Sequence, residues 1–116
     1  MPIAMGADAF LVFYGIKIPV DSGDESLWEA IESEAEPRIL AARQAGLDIQ
    51  VGRMTDGEDE FIYIGRNLGS LGDQYSSYLQ IGMEEIAALS LQVAAKLRGA
   101  GLEGDPAFHL QLEAQY

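Results

Sequence analysis

Hydrophobic positions along this chain switch between a two-residue and a helical period, and the switches mark its elements. Residues 9–20, AFLVFYGIKIPV, are apolar on both alternating sets: Phe10, Val12, Tyr14 and Ile16 on one side, Ala9, Leu11 and Phe13 on the other. A strand apolar on both faces belongs inside a sheet. Pro19 sits near its end, where a missing ladder donor costs least. After Asp24 the period becomes helical. Leu27, Ala30, Ile31 and Ala35 share one face, and Glu25, Glu29 and Glu32 share another. Ser22 followed by Glu25 matches a capping box, with Asp24 as the competing cap. Pro37 has no N–H to continue a helix, so it either kinks this one or opens a second. Gly46 is the stop.

Leu47, Ile49 and Val51 then alternate with Asp48, Gln50 and Gly52, which reads as a strand with one wet face. Asp56-Gly57 is a hairpin signal. The returning stretch 60–65, EFIYIG, is apolar on both faces, like the first strand. Residues 66–82, RNLGSLGDQYSSYLQIG, carry Gly and Ser throughout and read as a long connector, with an extended piece at 78–81. From Met83 to Arg98, Ile86, Leu89, Val93 and Leu97 keep a helical period. Glu84 and Glu85 lie in its first turn and Lys96 and Arg98 in its last, as the helix dipole favours. The final stretch alternates again. Phe108, Leu110, Leu112 and Ala114 are expected to face inward, and His109, Gln111, Glu113 and Gln115 outward.

The order is strand, helix, strand, strand, helix, strand. It predicts one α+β domain spanning residues 1–116, and it resembles the split βαβ pattern of the ferredoxin-like architecture, a four-stranded antiparallel sheet with helices on one face. In that architecture the first and third strands are central and the other two are edges. The hydropathy pattern agrees at all four positions.

Charge adds a second constraint. The 116 residues hold seven Lys plus Arg and nineteen Asp plus Glu, a net charge of −12. Such a chain repels phosphate backbones and anionic membranes, and its few basic residues are scattered. The expected partner is therefore a protein with a basic surface, not a nucleic acid. There is no cysteine, which removes disulfides, zinc–thiolate sites and thiol catalysis, and no cofactor motif is visible. The longest apolar run, at 9–16, is too short to span a bilayer, and the first ten residues lack a secretory pattern. A cytoplasmic location is the resulting expectation.

Placed on the split βαβ pattern, three acidic loops gather at one end of the sheet, because a right-handed crossover makes the first two strands run the same way. They contribute Asp21, Asp24 and Glu25; Asp56, Glu58, Asp59 and Glu60; and Glu103 and Asp105. This acidic end is the first candidate site, read as a docking surface for a basic partner. No loop carries the spacing of a calcium-binding EF-hand, so no metal site is assigned. The alternative is a small enzyme or ligand-binding domain with a pocket between the sheet and the 66–82 connector. Tyr14, Tyr63, Arg66, Tyr75, Tyr78 and His109 would be its polar groups. His109 is the only histidine, so imidazole chemistry would fall to it. Phe13, Phe61 and Tyr63 would lie on the sheet face away from the helices. There they either pack within the chain or meet a second copy in a homodimer through that open face. Trp28 is read as an anchor between helix and sheet. No catalytic constellation is visible, so the leading expectation is a non-enzymatic interaction, regulatory or inhibitor domain.

Overall fold

The computed structural model describes residues 8–21, 23–52, 60–72 and 77–114. The elements run β1 (Asp8–Pro19), α1 (Glu25–Glu32), α2 (Pro37–Gln44), β2 (Asp48–Gly52), β3 (Phe61–Gly72), α3 (Met83–Gly99) and β4 (Ala107–Ala114). The protein is α+β, with one four-stranded sheet in the order β2-β3-β1-β4. All three pairings are antiparallel, so β1 and β3 are interior and β2 and β4 are edges. The molecule is a thin slab, 49 × 41 × 19 Å. No helix among the described residues is long and apolar enough to cross a membrane.

Local chemistry explains the helix boundaries. Asp24, not Ser22, is the observed cap of α1: its Oδ1 accepts the Leu27 amide at 3.0 Å. Ser22 lies outside the described residues. Pro37 opens a second helix instead of kinking the first. Glu36 caps that helix, its Oε1 accepting the Arg38 backbone N–H at 3.0 Å and the Arg38 Nε–H at 2.9 Å. Proline at the first turn loses no helical hydrogen bond, since that N–H has no partner anyway. In α3 the Gly82 amide donates to Glu85 Oε1 at 3.3 Å.

The two sheet faces carry two separate clusters. Ile16, Ile62 and Ile64 join Trp28 and Ile31 of α1, Ile39 and Ala42 of α2, and Val93 and Leu97 of α3 in the main core. Trp28 is 2% exposed there, as an anchor should be. The alternate strand positions, Leu11, Phe13, Phe61 and Tyr63, form the second cluster on the other face. Between the central strands, Gly15 stands opposite Gly65. A Cβ on Gly15 would lie 2.8 Å from the Gly65 Cα and would overlap the Ile64 carbonyl oxygen. The two backbones can approach this closely only because neither residue has a side chain.

Two sequence expectations change. The connector at 66–82 begins as strand: β3 continues to Gly72 and pairs with the first half of β1. Gly69 lies within the strand rather than ending it. The register steps from Phe13↔Asn67 to Val12↔Gly69, which leaves Leu68 as the extra residue of a bulge. Gly69 sits there at φ 125°, a conformation open to glycine. Asp48 secures the same place, its Oδ2 accepting the Asn67 amide at 2.8 Å.

The second change is the burial of β4. Over 108–111 its alternation is as read, but the apolar side is the exposed one. Phe108 and Leu110 are 44% and 70% exposed, whereas His109 and Gln111 are partly buried. The register explains it: His109 lies across from Phe13 and Gln111 from Leu11, on the face of the aromatic cluster. Phe108 and Leu110 lie on the helix side, where the buried residues of α3 are only Val93 and Leu97.

Candidate functional site

The acidic end is built by strand ends. β1 finishes at Pro19, opposite Phe61, and Phe61 is opposite Gly52 of β2, so the end of β1, the end of β2 and the start of β3 lie level. The Val20 amide donates to the Glu60 carbonyl at 2.9 Å, joining the two chain segments there. The segment from Asp21 to Glu25 leaves this end into α1. The segment after α3 returns to it, with Gly104 against the Ile16 side chain. Asp21, Asp24, Glu25, Glu103 and Asp105 are exposed. Asp56, Glu58 and Asp59 lie outside the described residues.

Ion pairs join Arg38 to Glu36, Arg43 to Glu34 and Arg66 to Asp48. Among the described residues, Asp21, Asp24, Glu25, Glu103 and Asp105 make none. Lys17 is near in sequence but occupies the other sheet face, its Nζ 4.7 Å from the centre of the Phe61 ring. Asp21 and Asp24 spend one oxygen each on local turns, to the Gly23 and Leu27 amides. Arg98 lines a cleft of about 380 Å³ together with Leu97, Leu102, Glu103 and Asp105. No three acidic or histidine side chains among the described residues are grouped so as to hold a metal ion.

The five described residues of the alternative pocket are not all brought together. Tyr14 is on the helix side of the sheet, its ring 4.8 Å from that of Phe108. Arg66 is partnered with Asp48. Tyr78 is 70% exposed and donates to Gln80 Oε1 at 2.9 Å. Tyr75 lies outside the described residues. Tyr63 and His109 do meet, with ring centroids 4.7 Å apart. The Tyr63 hydroxyl donates to Gln111 Oε1 at 3.0 Å, and His109 Nε2 lies 3.0 Å from the Gly15 carbonyl oxygen. A carbonyl can only accept, so in this hydrogen bond Nε2 carries the proton. That nitrogen is then a structural donor rather than a base.

A cleft does exist beside the connector, about 420 Å³, but other residues form it. Leu68, Leu79 and Ile81 face Ala88, Leu89 and Gln92 of α3 across it. The carboxylate on its wall, Glu85, is occupied by the Gly82 amide. Apart from Glu85, the described lining is aliphatic and amide; it can hold an apolar group, and among the described residues it presents no nucleophile and no paired acid and base.

Sequence reasoning missed the exposed patch of Phe10, Phe108 and Leu110. The first two are 44% exposed and Leu110 is 70% exposed. The register Phe10↔Leu112, Val12↔Leu110, Tyr14↔Phe108 puts all three on one side of adjacent strands. The available signal was composition: β4 has no Lys, Arg or Pro in a chain where 22% of residues are charged. In comparisons with protein-family models, curated proteins and solved structures, nothing matches the chain.

Proposed function

We propose that this protein is a non-enzymatic interaction domain of ferredoxin-like topology that docks a basic protein surface through its acidic end. The strand order β2-β3-β1-β4 with all neighbours antiparallel supports that topology. The observation that carries the docking is the set of exposed, unpaired carboxylates at the end where β1 finishes, Asp21, Asp24, Glu25, Glu103 and Asp105 among the described residues. Uncompensated charge of one sign raises the encounter rate with an oppositely charged surface and rejects like-charged ones. The cleft beside Glu103 and Asp105 accommodates a lysine or arginine side chain of the partner. A cytoplasmic, cysteine-free regulatory or inhibitory subunit fits this reading. A ligand-binding or enzymatic role would use the cleft at Leu68 and Leu79, whose lining favours an apolar ligand over catalysis.

The test is a pull-down with the tagged protein from a lysate of its own host. Basic proteins should be retained at low salt and released at about 1 M salt, where the screening length falls to about 3 Å. The combined variant Asp21→Asn, Asp24→Asn, Glu25→Gln, Glu103→Gln, Asp105→Asn should lose them, because asparagine still caps α1 and the fold is kept. Glu84→Gln, at the start of α3, should retain them. Partners that bind the five-site variant as well as the parent would overturn the proposal.

A further inference from the structure

β4 is an edge strand without the usual protections. Protein sheets guard exposed edges with short strands, lysines, prolines or bulges, because a free row of N–H and C=O groups recruits other strands. The opposite edge, β2, has five residues. β4 has eight, pairs with β1 without a break in register, and carries only His109 and Glu113 as ionisable groups. On its helix side it also leaves Phe108 and Leu110 exposed beside Phe10. The second sheet face offers no comparable surface, since Leu11, Phe13, Phe61 and Tyr63 are all buried.

We infer that β4 pairs antiparallel with β4 of a second copy, about a two-fold axis through Leu110, joining the two sheets into one of eight strands. The sequence AFHLQLEA is self-complementary in that register. Leu110 stands opposite its own copy, Phe108 opposite Leu112, and His109 opposite Gln111. A two-fold axis perpendicular to the sheet keeps like faces together, so Phe108 and Leu110 of both copies share one side and His109 and Gln111 the other.

Charge selects the same partner. Among the described side chains the patch holds no carboxylate that would call for a basic protein, so this edge is distinct from the acidic end in what it can bind. β4 starts at the acidic end and runs away from it. An antiparallel copy therefore begins at the far end, and the two acidic ends point apart. In this register Ala107 is six residues from its copy, so at about 3.4 Å per residue the two strand starts lie about 20 Å apart along the strand, over two screening lengths of about 8 Å at physiological salt. A parallel arrangement would set the two acidic ends side by side.

Light scattering on a sizing column tests the pairing from about 1 μM to about 1 mM. The mass should climb from 12.6 kDa towards twice that value with concentration. Leu110→Lys places two lysines face to face on the axis and should stay at the monomer mass, with an unchanged far-ultraviolet circular dichroism spectrum because the position is exposed. Register is read by cysteine, which the chain otherwise lacks. Leu110→Cys puts two Cα atoms about 4.5–5.5 Å apart, within disulfide reach, and should cross-link on oxidation. Ala107→Cys is offset from its copy by six residues, about 20 Å, and should not. A monomer at every concentration, a dimer indifferent to Leu110→Lys, or Ala107→Cys linking as readily as Leu110→Cys would each overturn the inference.

Discussion

Replacing glycine by alanine at two positions should change stability in opposite directions. Intrinsic preference alone favours both changes. Alanine restricts the unfolded chain, and glycine inside a strand or helix is destabilising by about 0.5–1 kcal/mol. At Gly99, the last residue of α3, nothing lies within 4 Å of an added Cβ, so Gly99→Ala should gain about 0.5–1 kcal/mol. At Gly15 the Cβ would sit 2.8 Å from the Gly65 Cα, where ordinary contact begins near 3.4 Å, and closer still to the Ile64 carbonyl oxygen. Its neighbours there are backbone atoms, which cannot rotate aside. Relief requires β1 and β3 to part by about 0.6 Å or more, enough to stretch a 2.9 Å ladder hydrogen bond to the limit of its range. Overpacking of this kind costs about 1–3 kcal/mol, and each weakened hydrogen bond about 1 kcal/mol. After the gain in backbone entropy, Gly15→Ala should lose about 3 kcal/mol, a large share of a typical 5–15 kcal/mol. In Tm that is a fall of about 10–15 °C. Urea unfolding followed by fluorescence reads both variants, because the single tryptophan, Trp28, is buried in the main core. A Gly15→Ala protein as stable as its parent would refute the close approach of the two central strands.

Two further outcomes are expected. His109→Gln should cost about 1–2 kcal/mol, the sum of a lost ring contact with Tyr63 and a lost hydrogen bond to the Gly15 carbonyl; urea unfolding unchanged within about 0.5 kcal/mol would mean that the imidazole is not held as described. Calcium at millimolar concentration should leave Tm unmoved, since the exposed carboxylates do not group as a metal site among the described residues; a rise of several degrees, absent with sodium at matched ionic strength, would reveal bound metal.

The sequence by itself determined the order and kind of the elements and which strands lie inside. β1 and the start of β3 are apolar on both alternating sets, and only an interior strand needs both sides covered. It also determined the net charge of −12 and, through the order of elements, the end of the sheet towards which the loops of Asp21 and Glu103 turn. Pro37 left two forms open, a kink or a new helix, and the structure shows the new helix, capped by Glu36.

Only the tertiary structure decided where glycine means strand rather than loop and which side of an amphipathic strand is covered. Gly69 and Gly72 look like punctuation in isolation, yet β3 runs past Gly69 to end at Gly72 because β1 is there to pair with it. Period alone does not say which side of an amphipathic strand is covered, since the pattern is the same whether or not a helix packs on its apolar side. The neighbours across β1 make the choice. Tyr63 presents a ring and a hydroxyl to His109 and Gln111, and Phe108 and Leu110 lie on the helix side but remain exposed there. The same placement separates Tyr14, Arg66 and Tyr78 from Tyr63 and His109. Convergence of side chains depends on register and face, which are set by pairing between residues far apart in the chain.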